Sequence, residues 1–276
     1  MHAYRYLALA VFLLPICLPS TVARALDARA RAQGDIPRKW DRFWAKYHRG
    51  LRARAGNVTS ANSEVLFYGC LEWCRKFGRE YLCASYRAGE KASLRGFTYT
   101  IICTSGDTTN HMLHGMLHGE LPPAIACPRV IVYMPGPYNL ITLSPLLASG
   151  AITDEEAAMG WVAGVRAVIG NLTQTLRGRT QLVVMGVLPQ SLDGSVERDV
   201  MGRVNMEIRE QLVYSAHGQH FLDCSQHVMV NSSSVDCSLV DCAPGHSFIL
   251  TVKGYMRVMR SCLVPYLKQN VIGLYL

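Results

Sequence analysis

Charge is scarce in this 276-residue chain: 17% of its residues are Asp, Glu, Lys or Arg, against 50% hydrophobic. Disordered segments have the opposite balance, so a folded core is expected. Long apolar runs are scarce too. Beyond the N-terminus, prolines and glycines interrupt every stretch before it reaches the roughly 18 residues that suggest a membrane-spanning helix. No internal repeat, low-complexity tract or collagen-like period occurs. Neither H-E-x-x-H nor a paired C-x-x-C is present, so the sequence implies no metal centre and no cofactor.

What is present begins with a compartment signal. Arg5 is a basic n-region, Leu7 to Leu14 an apolar h-region, and Ala23-Arg24-Ala25 an A-x-A cleavage site. Residues 1–25 therefore read as a signal peptide. The competing uncleaved anchor needs a longer apolar stretch than Pro15 and Pro19 allow. Sequons at Asn57, Asn171 and Asn231 are glycan acceptors if the chain enters the secretory pathway. Nine of the ten cysteines lie beyond residue 25, and an oxidising lumen pairs them as disulfides with one left over. Spacing leaves their connectivity open.

The basic charge is local. Residues 26–60 hold nine basic and three acidic residues, whereas 61–276 balance at seventeen of each. Trp40, Phe43, Trp44, Tyr47 and Leu51 recur at helical spacing, with Arg38, Lys39, Arg42, Lys46, Arg49 and Arg52 between them. This basic amphipathic helix either docks its aromatic stripe on the domain or is attracted to an anionic surface of glycans or lipid headgroups. A nucleic-acid partner is not expected in this compartment.

From residue 61 the pattern alternates. Strands are expected at 64–68, 97–103, 129–134, 181–187 and 220–223; helices at 70–82, 108–120, 153–176, 196–214 and 251–267. "RVIVYM" is nearly all apolar, as in a central parallel strand, and Thr153 with Glu156 forms a T-x-x-E capping box. Five such units imply a three-layer α/β/α domain over 61–276, on a flavodoxin-like five-stranded parallel sheet. Its ligand site should lie at the carboxyl ends of the strands.

At those ends "VLFYGCLEW", "CTSGDTTNHMLHGML", "PRVIVYMPGPYNLI", "QLVVMGVLPQ" and "HSFILTVKGYMRVM" follow one another as the blocks of the SGNH, or GDSL, serine hydrolases do. Residues 62–268 resemble that superfamily of esterases and lipases. The resemblance implies a serine nucleophile, a histidine base oriented by an aspartate, and an oxyanion hole that includes a glycine N–H and an asparagine amide. Here Leu71 stands at the nucleophile position, Tyr138 at the asparagine and Ile249 at the histidine, while Gly106 is retained and Asn139 falls one place late. Loss of one member of such a unit usually costs orders of magnitude in rate. The expected function is a secreted SGNH-like domain without ordinary esterase catalysis, binding a carbohydrate or acyl ligand in the vestigial pocket.

A rescue constellation is Cys70, His246 and Asp241, with Gly106 and Asn139 as oxyanion donors. It would make the chain an O-acyl ester hydrolase or transferase. Set against it, Cys70 forms a disulfide in an oxidising lumen and His246 is a loop residue. His111, His114 and His118 share one helical face, but no second element supplies a ligand, so they read as structural or solvated.

Overall fold

A computed structural model describes residues 48–59, 62–69, 88–102, 107–123, 128–136, 138–175, 180–189, 196–213, 218–231, 234–242 and 250–272. All lie in the compact unit Pro37–Leu276.

Five short strands carry the fold: β1 (Val65–Tyr68), β2 (Tyr99–Ile102), β3 (Val130–Tyr133), β4 (Gln181–Met185) and β5 (Gln219–Leu222). All pair in parallel, in the order β2-β1-β3-β4-β5, with Tyr68 beside Tyr133 in register. This is the expected five-stranded α/β architecture. β1 and β3 are buried along their whole length, whereas β2 and β5 are half-exposed except at their last residues. Apolar continuity thus marks the middle of the sheet, where both faces are covered.

The helices are α1 over 48–56, α2 over 88–93, α3 (Thr109–Gly115), α4 (Tyr138–Ala148), α5 (Asp154–Thr175), α6 (Val196–Val213) and α7 (Val252–Val258). α3 continues as a π-turn through Glu120, and α7 continues to Ile272 by way of further π-turns. α3 packs on α5 and α5 on α6. On the other face, Tyr255, Val258, Met259 and Leu263 join Val65, Phe67, Val130, Val132, Val183 and Met185 in one buried cluster. The Thr153–Glu156 capping box forms as expected: the Thr153 hydroxyl accepts from Glu156 N and the Glu156 carboxylate accepts from Thr153 N.

Two corrections to the sequence reading concern helices. α4 stands where no helix was expected, and the chain after α3 kinks at His118 and Gly119, the latter at φ +96°. The expected helix over 70–82 and the aromatic residues at 40, 43, 44 and 47 lie outside the described residues. Disulfides join Cys224 to Cys262 and Cys237 to Cys242, the first tying the segment after β5 to the C-terminal helix.

Candidate functional site

The order 2-1-3-4-5 reverses direction between β1 and β3, and the crevice beyond their carboxyl ends is the switch point where such sheets take ligands. The described residues at the ends of β1, β2 and β3, namely Gly69, Ile102 and Met134, meet there. Gly69 leaves β1 at φ +91°, donates its N–H to the Ile102 carbonyl, and lies so close to Met134 that a Cβ would collide with the Met134 carbonyl oxygen. Only glycine meets both demands. Met134 N in turn donates to the Tyr68 carbonyl at 2.8 Å. Leu250, just before α7, is buried in the same cluster as Met134 and Phe67.

From the β2 side, Asp107, Thr108 and Thr109 are all buried at the start of α3. A helix start leaves its first N–H groups without intrahelical partners. Thr108 caps the N–H of His111, and the His111 imidazole accepts from Thr108 N through Nδ1, which completes a capping box with histidine in the glutamate's usual place. The N–H of Thr109 goes to Asn139: Oδ1 accepts it at 2.9 Å, and Asn139 Nδ2 donates to Thr109 Oγ1 at 2.9 Å. Gly164 of α5 makes room for this pair, since a Cβ there would strike Thr109 Oγ1.

Beneath the crevice lie two tyrosines. Tyr68 donates its hydroxyl to the Met112 carbonyl at 3.0 Å. Burial, then the negative charges of Glu120 and Asp107, hold that phenol far above its ordinary pKa. Tyr133 is fully buried, with no hydrogen-bond partner for its hydroxyl among the described residues, and burial keeps it protonated.

Of the candidate residues, Cys70, Leu71, Gly106, His246 and Ile249 lie outside the described residues. Their described neighbours Gly69 and Asp107 do stand at the crevice. Tyr138 opens α4, half-buried; Asn139 is beside it with one amide N–H and its carbonyl committed to Thr109, so an oxyanion role would fall to the second N–H. Asp241 is half-buried after Val240, whose bridge to Leu250 leads the chain toward α7. The three histidines of α3 divide: His111 serves the cap, whereas His114 and His118 stack with centroids 3.8 Å apart. Ring-nitrogen lone pairs lie in the ring planes, so stacked imidazoles do not converge on one ion. Among the described residues no group of three or more His, Cys, Asp or Glu side chains is arranged to hold a metal ion.

Sequence reasoning missed Thr109, Asp107 and Glu120. A Thr-Thr pair opening an apolar helix was the available sign for the first. It also missed a second cleft of about 600 Å³ beyond β4 and β5, lined by Val187, Arg198, Met201, Met206, Arg209 and Met229 among others. Its polar groups are largely engaged within the protein: Arg209 with Asp223 at 2.9 Å, and Asn205 with both backbone groups of Val187.

No protein-family model matches the sequence, and no curated protein matches it. Solved structures do. A candidate acylhydrolase from Bacteroides fragilis superposes with a TM-score of 0.53 at 12% identity, over 83% of this chain and 98% of that one. A catalytic mutant of Axe2, an acetylxylan esterase from Geobacillus stearothermophilus, gives 0.52 at 13% identity, over 77% and 95%. The lipase Lip_vut3 from a goat rumen metagenome gives 0.51 at 12%, over 71% and 92%. The protein therefore has the SGNH/GDSL-hydrolase fold, and identities this low establish the fold alone.

Proposed function

We propose that the chain is a secreted SGNH-fold domain that has lost ordinary serine-esterase catalysis and binds an O-acylated carbohydrate, or a related acyl ligand, at the β1/β3 crevice. The observation that carries this reading is the fate of the asparagine block. Tyr138 holds the family's asparagine position, and the amide next to it commits its carbonyl and one N–H to the buried Thr109, which leaves a single N–H for a developing oxyanion. Leu71 at the nucleophile position agrees. The acyl-carbohydrate class draws support from the acetylxylan esterase among the structural neighbours. Secretion draws support from the leader-like N-terminus and the two disulfides. No helix among the described residues is long and apolar enough to cross a membrane.

The test pairs two measurements on the purified full chain. Hydrolysis of short-chain aryl esters is expected to stay at background, and calorimetry with acetylated xylo-oligosaccharides is expected to show binding that deacetylation of the ligand weakens. Turnover at the level of an ordinary family enzyme, through Cys70, His246 and Asp241 or any other set, overturns the loss of catalysis. Absence of binding overturns the ligand class.

One observation favours a second reading for the N-terminal segment. On α1, Leu51 and Ala55 are buried, so the helix docks by its apolar stripe; Arg49, Arg52 and Arg54 are exposed, although Arg54 donates to the Ile101 carbonyl at 2.8 Å and Arg52 lies against Gly119. An anionic glycan or lipid surface is the matching partner. Retention on heparin should then fall steeply with salt, and removing residues 26–60 should abolish it.

A further inference from the structure

The end of α3 opposite Asn139 carries a cluster that ligand binding leaves unused. His48 Nδ1 of α1 lies 2.6 Å from Glu120 Oε1, and the two side chains are only 12% and 7% exposed. The contact fastens segments 72 residues apart in sequence. Gly115 makes it possible, because a Cβ there would strike the Glu120 carboxyl. His114 faces His48 at a ring separation of 6.4 Å and carries the stacked His118, whose Nδ1 donates to the His114 carbonyl. From α1, the Arg52 side chain approaches Gly119 and its charge acts on His48. From the sheet, Tyr68 feels the charges of Glu120 and Asp107 and has Tyr133 beside it.

An ion pair in this position would desolvate two charges, next to an arginine that repels an imidazolium. A carboxylic acid donating to a neutral imidazole desolvates none and still satisfies both atoms. We propose that Glu120 and His48 form a one-proton clasp, the protonated carboxyl donating from Oε1 to Nδ1, and that gain or loss of a proton releases α1 from α3. Release reaches the crevice through α3 itself, whose other end holds Tyr68 by the Met112 carbonyl and Asn139 by Thr109. The clasp does not depend on what the crevice binds.

The direction of the response follows from the environment of each group. Burial pushes the Glu120 carboxyl up to about 7, so its contribution is complete at acid pH and is lost as pH rises through that value. His48 is held below 6.5 by burial, Arg52 and His118, and His114 by burial, His118 and His48. Their contributions are complete above 6.5 and are lost as pH falls through the lowered values. The clasp is therefore weakened from both sides, by loss of the Glu120 proton as pH rises and by protonation of the histidines as it falls.

Hydrogen exchange of the α1 amides in the full chain, corrected for the intrinsic pH dependence of exchange, measures release directly. Between pH 6 and pH 8 the ratio of the opening equilibrium in the unmodified protein to that in Glu120→Gln, in which the histidine contributions cancel, is expected to rise about tenfold, as an acid that titrates near 7 when buried and near 4.5 when solvated requires. Glu120→Gln supplies an amide N–H that donates to Nδ1 and never ionises, so it should keep the pH 6 protection and lose the rise due to Glu120. Infrared spectroscopy of the unmodified protein provides a second readout that survives if the variant misfolds: a protonated-carboxyl band at pH 6 that disappears by pH 8. The same pH dependence in the unmodified protein and in Glu120→Gln, or no such band, would overturn the clasp in favour of an ordinary ion pair.

Discussion

Asn139 and Thr109 hold each other by two hydrogen bonds of 2.9 Å, one to the backbone and one to the side chain, across 30 residues of sequence. Thr109 is the first residue of α3 and is buried, so its N–H has no water to turn to. Asn139 thereby joins the start of α4 to the start of α3 and fixes the mouth of the β1/β3 crevice.

Removing that amide is expected to cost stability. Asn139→Ala leaves the Thr109 N–H and hydroxyl without this partner in a buried place, at about 1–3 kcal/mol. Asn139→Asp keeps an acceptor for the N–H at the positive end of the helix and should lose less. Urea denaturation at neutral pH checks both, and a double-mutant cycle with Thr109→Val should return a coupling of about 1 kcal/mol. Equal losses in the two variants would refute the clamp.

Among the described tyrosines, Tyr68 and Tyr133 should be invisible to alkaline titration while the protein is folded. Tyr68 and Tyr133 are buried, and ionising either would place a phenolate near Glu120, near Asp107 or in apolar surroundings. Followed by ultraviolet absorbance, both should stay protonated until the sheet unfolds, so their signal appears in one step together with the loss of circular dichroism. Tyr68→Phe should delete part of that step. Since it also removes one of the two donors to the Met112 carbonyl, which keeps the Met116 N–H, it should lower stability by about 1 kcal/mol.

Much of the sheet was legible because its strands are short, apolar runs of β-branched and aromatic residues, and "VIVY" needs no partner to be recognised. The long helix after Thr153 was legible for a similarly local reason, its capping box. α4 was not. Its sequence, YNLITLSPLLA, is apolar nearly throughout and contains Pro145, so it shows neither a clear stripe nor helix-favouring composition. Missing that helix also hid the setting of Asn139, which from the sequence seemed merely one place late. The pairing of His48 with Glu120 had no local sign at all. It depends on where α1 docks and on a glycine at position 115 whose missing side chain shapes the space.

The Cys224–Cys262 bond should matter more than the Cys237–Cys242 bond. The first closes a loop spanning 38 residues and anchors the C-terminal helix, while the second closes one of only five. On the chain-entropy account the longer loop is worth about 4 kcal/mol and the shorter about 2. Cys224→Ala/Cys262→Ala should therefore lower the urea midpoint more than Cys237→Ala/Cys242→Ala. Both cysteines of the longer bond are also buried, so the alanines leave a small cavity that adds to the loss.

The three sequons should behave differently when the chain is expressed through a secretory route. Asn57 is exposed where α1 ends, and Asn231 is exposed in a turn, its side-chain oxygen accepting from Ser234 N. Asn171 sits inside α5, half-buried, with its amide nitrogen donating to the Ala167 carbonyl, and Thr173 turns its hydroxyl onto the Ile169 and Gly170 carbonyls. A glycan on Asn171 would have to break that bond and lift the side chain off a helix that packs on both α3 and α6. Glycopeptide mapping of the folded, secreted protein should find glycan on Asn57 and Asn231 and a bare Asn171, because chains modified there would fold poorly and be retained. Asn171→Gln should then leave the secreted mass unchanged apart from the substitution, whereas Asn57→Gln and Asn231→Gln should each remove one glycan. Substantial occupancy of Asn171 in folded protein would mean that α5 tolerates a bulky outward group at that position, contrary to its half-buried setting.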